Sequence, residues 1–342
     1  LKTIKSLIRV TTSKSIGVLT FQTENPKGYG RIIRDNNKNI ATIIEEKDAS
    51  LAEKAIKEVN SGIISIHSSM LGPLLKKINN KNAAKEYYLT DIVSTALKEG
   101  ISSIPLRLDN GNELLGANTP LELHNLERIY QTNLANKLIN GGIGVADSNR
   151  IDIRGSLNAG KGSFIDINNI FEGEVEIGKR VEIGPNCFIK NSKIMEGAII
   201  KPNTVIEDSI VGPNSKVGPF TRIRGGTKLD ASTELGNFVE ANRSQVGALT
   251  KAKHLAYLGD TTTGASVNIG AGTITCNYDG KNKNKTKLED GVFVGSNTSI
   301  VAPVTLSQGS YTGAGSVITK NVPRDSLAIG RAKQTNIKRK RN

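Results

Sequence analysis

Three histidines, two cysteines and one lysine-rich insertion are the places where this chain of 342 residues concentrates side chains suited to chemistry. His254 stands in KAKHLAYLGD, amid Lys251, Lys253 and Tyr257. A histidine titrates near neutral pH, so one held in a loop can take up and release a proton. His67, in SIHSS, follows an expected strand, and His124 falls in an expected helix. Both read as structural. Cys187 and Cys276 are far apart in sequence, and neither has the spacing of a zinc ligand. They make no disulfide framework and fit a reducing, cytoplasmic setting. The insertion is GTITCNYDGKNKNKTKLEDG, which carries Lys283.

The pattern around His254 sets it apart. From about Ile165 the sequence repeats every six residues, as in IGKRVE, IGPNCF, VGPNSK, VGPFTR and later VGSNTS. An aliphatic residue recurs at each sixth position, most often followed by Gly or Asp. A Ser, Thr, Val or Ala stands four positions later. Neither a helix nor an antiparallel strand has this period. It is the hexapeptide signature of a parallel β-helix. Three hexapeptides make one triangular coil, aliphatic residues point inward, and small residues turn the corners. The phase slips at ANRSQVGALTKAKHLAYLGDTTTG and again at the insertion. Loops on a rigid scaffold carry function more often than the scaffold does.

Residues 1 to about 140 follow another grammar, that of a mixed α/β unit. GVLTFQT, GYGRIIRD, NIATIIEEKD, GIISIHSS and SIPLRLD read as strands. In SLAEKAIKEVN the spacing of Leu51, Ala55, Ile56 and Val59 predicts a helix. YLTDIVSTALKEG reads as a helix capped by Thr90 and closed by Gly100. A long helix follows over TPLELHNLERIYQTNLANKLINGG, with Pro120 in its first turn.

Composition narrows the class. There are 46 Lys plus Arg against 32 Asp plus Glu, a net charge of +14. Such a balance suits phosphate-bearing substrates. No nucleic-acid-binding motif is present and aromatics for stacking are scarce, so nucleic acid is not an expected partner. No apolar run approaches the roughly 18–20 residues of a membrane span. The 35 Gly suit a repeat with tight corners.

GNFVE, KAKHLAYLGD, VNIGAGTITCNYDG, VFVGSNTSIVAPV and AIGRAKQ together closely resemble the bacterial family of bifunctional N-acetylglucosamine-1-phosphate uridyltransferase/glucosamine-1-phosphate N-acetyltransferase. In the first half, GYGRI, EEKDA, EYYLTD and LGAN before LERIYQ look like the later part of that family's uridyltransferase domain. The resemblance implies three parts. Residues 1–120 would be the remnant of a Rossmann-like nucleotide-diphospho-sugar transferase domain, 121–141 a linker helix, and 142–342 a left-handed β-helix acetyltransferase domain with a basic tail. It implies a cytoplasmic homotrimer with sites between neighbours. The cosubstrate would be acetyl-CoA and the acceptor glucosamine 1-phosphate. His254 matches the general base. Arg224, Tyr257, Asn268 and Lys283 match sugar-phosphate contacts. Ala271, Asn277, Tyr278, Ser296, Ala314 and Arg331 match acetyl-CoA contacts, with Asn277 or Ser296 near the thioester oxyanion. Gly30, Glu45, Asn60 and Asn118 match contacts to UDP-N-acetylglucosamine, and Asn118 also matches a magnesium ligand.

One departure stands out. Where the family has an apolar residue and two lysines after VE, this chain reads VEANRS, so the first lysine, a substrate contact, is Asn242 and the second Arg243. The expectation is weaker substrate binding unless Arg243 reaches in; otherwise Arg243 is a solvated corner residue. The chain begins at Leu1 and lacks the family's glycine-rich nucleotide loop and metal-binding aspartate. Uridyl transfer from UTP is therefore expected to be absent in the chain as given, which reads as a fragment. The alternative expectation is a non-catalytic trimeric β-helix scaffold.

Overall fold

The computed structural model describes residues 2–108, 111–117 and 119–339. The chain divides into two compact units, Leu1–Leu126 and Glu127–Asn342.

The first unit is built on strands β1 (Ser15–Gln22), β2 (Arg31–Arg34), β3 (Ile40–Ile44), β4 (Glu58–Ser65) and β5 (Ser102–Leu108), in the order β3-β2-β4-β1-β5. β1 runs parallel to β5; the other pairings are antiparallel. Helices α1 (Lys2–Arg9), α2 (Leu51–Lys54), α3 (Ser68–Leu75) and α4 (Asp91–Lys98) complete it. Ile16 and Val18 of β1 pack with Met70 and Leu74 of α3 and with Ile92, Val93 and Ala96 of α4.

Two local expectations fail here. SLAEKAIKEVN is helical only over α2, which the reciprocal Ser50–Glu53 cap opens. From Glu58 the chain is strand β4, where Val59 pairs with Phe21. Leu51 stays exposed, so the apparent helical stripe has nothing to cover. Burying Val59 in the sheet overrides the spacing. Thr90 makes no side-chain cap; its hydroxyl donates instead to Glu45 Oε1 at 2.8 Å.

The second unit opens with helix α5 (Pro120–Asn140), which crosses the boundary, and continues as a parallel β-helix. Ile183, Ile200, Val217, Leu235, Ala252, Ile269 and Val294 pair in register, coil on coil, on one inner face. Phe171, Ile189, Ile206, Ile223, Ala241 and Leu258 do so on a second. Ile177, Ile194, Val211, Leu229 and Val246 do so on the third. All belong to one buried cluster, so the six-residue period is a core pattern. The chain turns corners through residues with positive φ. One corner carries Asn168, Asn186 and Asn203, then Phe220, Phe238 and Leu255. Asparagine suits that conformation and bulky apolar residues do not.

Candidate active site

Strands Arg222–Arg224, Glu240–Asn242 and Tyr257–Gly259 stack on successive coils, with Arg224 opposite Asn242 and Asn242 opposite Gly259. Arg224 Nε donates to Glu240 Oε1 at 2.8 Å. Asn242 is buried, and its Oδ1 accepts from Nη1 of Arg243 at 3.2 Å. Arg243 and Asp260 occupy neighbouring corner positions, with φ of 50° and 49°. There Arg243 donates from Nε to Asp260 Oδ1 at 2.7 Å and from Nη2 to Oδ2 at 2.8 Å. The planar fork of arginine matches a carboxylate in this way. Asp260 Oδ2 also accepts Nδ2 of Asn277. The Arg243 guanidinium, aided by the Asn277 amide and the charge of Lys283, holds the Asp260 carboxyl below its ordinary range against the opposing effect of burial.

The insertion rises above this corner. Asp279 fixes it by accepting from the backbone N–H groups of Lys281 and Asn282 at 2.9 and 2.6 Å. The N–H of Asn284 donates to the carbonyl of Asn277 at 2.7 Å. Lys283 is exposed and bridges to Tyr278 through the backbone. A Cβ added to Gly259 would lie 2.6 Å from both the Tyr257 hydroxyl and Asn277 Nδ2. Glycine there lets those two side chains converge.

His254 closes strand Lys251–His254, opposite Asn237. Its ring is exposed, makes no hydrogen bond among the described residues, and lines a pocket of about 150 Å³ with Lys216, Glu234, Asn237 and Lys253. The neighbouring lysines are turned to Glu234, whose Oε2 lies 2.9 Å from Lys253 Nζ. Lys253, by its hydrogen bond, lowers the Glu234 pKa. Asn268 stands opposite Lys251 on the next coil. The N–H of Asn297 donates to the carbonyl of Ala271 at 2.7 Å, and the N–H of Gly315 to that of Ser296 at 2.8 Å. Ala271, Ser296 and Ala314 therefore stand on successive coils. The register of Lys251 with Asn268 continues this row back to His254. Arg331 lies at its far end, its Cδ 3.8 Å from where a Cβ on Gly315 would be. At about 4.8 Å per coil the row is roughly 19 Å long.

In the first unit the structure brings Gly30, Glu45 and Asn60 together. The N–H of Asn60 donates to the carbonyl of Gly30 at 2.8 Å, and a Cβ on Gly30 would lie 3.4 Å from the Glu45 carboxylate. Asn118, expected to contact the sugar nucleotide and to ligate magnesium, lies outside the described residues. Among the described residues no three His, Cys, Asp or Glu side chains converge as a metal site.

Arg224, Asn242, Tyr257, Asn277 and Lys283 thus gather on one face and its corner. His254 and Asn268 lie across the turn at Leu255, on the adjoining face. Arg243 is neither a free corner residue nor a free cation; Asp260 holds it. Asp260 and Glu240 were not singled out from sequence, although both lie in the segments GNFVE and KAKHLAYLGD. The same corner carries Asn191, Asp208 and Gly225 on earlier coils, so an acid there is not unusual and position alone did not mark Asp260.

A repeat-built prism with basic and amide side chains gathered where the repeat breaks defines a hexapeptide-repeat β-helix protein with a polar site at one corner. Residues 153–275 match the family model described as GMPPB C-terminal domain. "Bifunctional protein GlmU" of Cupriavidus pinatubonensis is 48% identical over 332 residues, covering 97% of this chain and 73% of that protein. The protein of the same name from Acinetobacter baylyi is 47% identical over 333 residues, covering 97% and 73%. Among solved structures, a UDP-N-acetylglucosamine acyltransferase of Francisella novicida matches at 13% identity and a TM-score of 0.40, covering 53% of this chain and 65% of that one. The chain belongs to the family of bifunctional GlmU proteins. Among the described residues no helix is long and apolar enough to cross a membrane.

Proposed function

We propose that the β-helix unit transfers the acetyl group of acetyl-CoA to the amine of glucosamine 1-phosphate, a step toward UDP-N-acetylglucosamine. The observation that carries this reading is the gathering of Arg224, Asn242, Tyr257, Asn277 and Lys283 on one face and its corner, one turn of chain from His254, whose ring makes no hydrogen bond among the described residues. His254 takes a proton from the amine as its nitrogen attacks the thioester carbon. The tetrahedral oxyanion collapses, the C–S bond breaks, and the CoA sulfur leaves and is protonated. General-base help of this kind contributes roughly 10²–10⁴-fold. Arg224 and Lys283 supply cationic donors for the sugar phosphate. Acetyl-CoA lies along the row from Ala271 through Ser296 and Ala314, with its phosphates toward Arg331. One N–H of Asn277 is committed to Asp260, so backbone N–H groups and Ser296 are the better oxyanion donors.

A second copy of the chain is part of this reading, and the arrangement is a homotrimer. Phe220 and Phe238 stack with centroids 5.3 Å apart, and both are half or more exposed beside Leu255, next to His254. Such an apolar corner suits association. In the first unit, Gly30, Glu45 and Asn60 would contact a sugar nucleotide, in keeping with the family's uridyltransferase activity and its divalent metal. No observation favours a non-catalytic scaffold. The reading is tested by CoA thiol release that depends on glucosamine 1-phosphate; release independent of that acceptor would contradict it.

A further inference from the structure

Asp260 lies at the centre of a hydrogen-bonded relay that ties two amide side chains together. Its carboxylate accepts both forked nitrogens of Arg243, and Arg243 in turn donates to Asn242 Oδ1. The same carboxylate accepts Nδ2 of Asn277. An amide has one donor end and one acceptor end. With its oxygen on Arg243, Asn242 is left to present its NH₂. With its NH₂ on Asp260, Asn277 is left to present Oδ1, which makes no hydrogen bond among the described residues. Asn242 and Asn277 are only 5% and 6% exposed, so packing holds both side chains in place. The relay therefore sets the two amides in opposite senses, a donor at 242 and an acceptor at 277.

We infer that Asp260 is a positioning residue for acetyl transfer. It acts through Asn277, whose oxygen it aims at an N–H of the acyl donor. Through Arg243 it acts on Asn242, whose NH₂ it aims at an oxygen of the sugar phosphate. This rests on the acetyltransferase reading. It goes beyond that reading in assigning a role to a residue that touches neither substrate. Removing the carboxylate frees both amides to flip, and each substrate then meets the wrong end. Geometry is costly to lose at such a site, since a misplacement of about 1 Å can lower rate about 10²-fold.

Asp260→Asn is the informative variant, because asparagine is at home at a positive-φ corner and changes no volume. It is expected to fold and to unfold cooperatively, at a modestly lower temperature because the ion pair with Arg243 is lost. The kinetic expectation is a tenfold or greater fall in kcat/KM for acetyl-CoA together with a raised KM for glucosamine 1-phosphate. A double-mutant cycle with Asn277→Ala separates positioning from general damage. Adding Asp260→Asn to Asn277→Ala is expected to cost less than threefold further in kcat/KM for acetyl-CoA, while still raising the sugar-phosphate KM. Wild-type kinetics in Asp260→Asn, or two losses that simply multiply, would overturn the role of Asp260 and leave the acetyltransferase reading standing. Calorimetric titration of the wild-type chain with CoA distinguishes the other failure. A wild-type chain that neither binds CoA nor acetylates the sugar phosphate overturns the reading and the positioning role with it.

Discussion

Arg243 closes with two nitrogens, at 2.7 and 2.8 Å, on Asp260 of the next coil, beside its chain neighbour Asn242. Its charge is matched by a carboxylate. On this geometry we propose that it does not stand in for the lysine that the resembling family carries at the position of Asn242. Asn→Lys at 242 is therefore expected to lower the KM for glucosamine 1-phosphate by about tenfold with kcat little changed. A hydrogen bond to a charged group is worth about 1.5–3 kcal/mol against about 1 for a neutral one. Steady-state kinetics of Asn242→Lys check this; an unmoved KM would mean that position 242 does not face the sugar phosphate.

How much of this was legible beforehand differs between the two units. The prism was readable because each hexapeptide places one aliphatic side chain inward, and Ile183, Ile200 and Val217 repeat that choice coil after coil. In the first unit, Leu51, Ala55, Ile56 and Val59 had helical spacing, yet pairing of β4 with β1 took the second half of that segment. Local pattern does not register a partner strand distant in sequence. At the site, the resemblance named Tyr257 and Asn277, and the repeat breaks pointed to His254. The Asp260 relay joins side chains on different coils, so no short sequence window shows it.

Phe238 sits at a corner, φ 57°, where equivalent coils carry Asn186 and Asn203. A left-handed conformation costs a residue such as phenylalanine roughly 1–2 kcal/mol. Phe238→Asn should relieve that strain and remove exposed apolar surface together. The expected result is a prism at least as resistant to heat whose association is weakened. Multi-angle light scattering checks it; an unchanged mass at micromolar concentration would show that this corner is not where copies meet.

The two cysteines should separate cleanly by reactivity. Burial pushes the Cys187 thiol up to about 11. Only about one part in a thousand is then thiolate at pH 8, and the thiolate is the nucleophile. Cys276 is partly exposed. Disulfide-exchange titration of the native chain should modify Cys276 alone, with Cys187 reacting only as the pH nears 11 or on unfolding. Rapid modification of both at pH 8 would contradict the packing around Cys187.

His254 makes no hydrogen bond among the described residues, so its removal should leave the fold intact. His254→Ala is expected to lower kcat by about 10²-fold or more and to leave thermal unfolding unchanged. An equal loss of stability would assign the residue to the scaffold.

The central claim is acetyl transfer at the β-helix corner, and direct detection of the product tests it. Wild-type chain, acetyl-CoA and glucosamine 1-phosphate are incubated, and the sugar phosphate is followed by mass spectrometry beside His254→Ala. The account predicts N-acetylglucosamine 1-phosphate from the wild type, matched mole for mole by free CoA, and about 10²-fold less from the variant. No acetylated sugar phosphate from a folded wild-type chain, or equal amounts from both proteins, would contradict it.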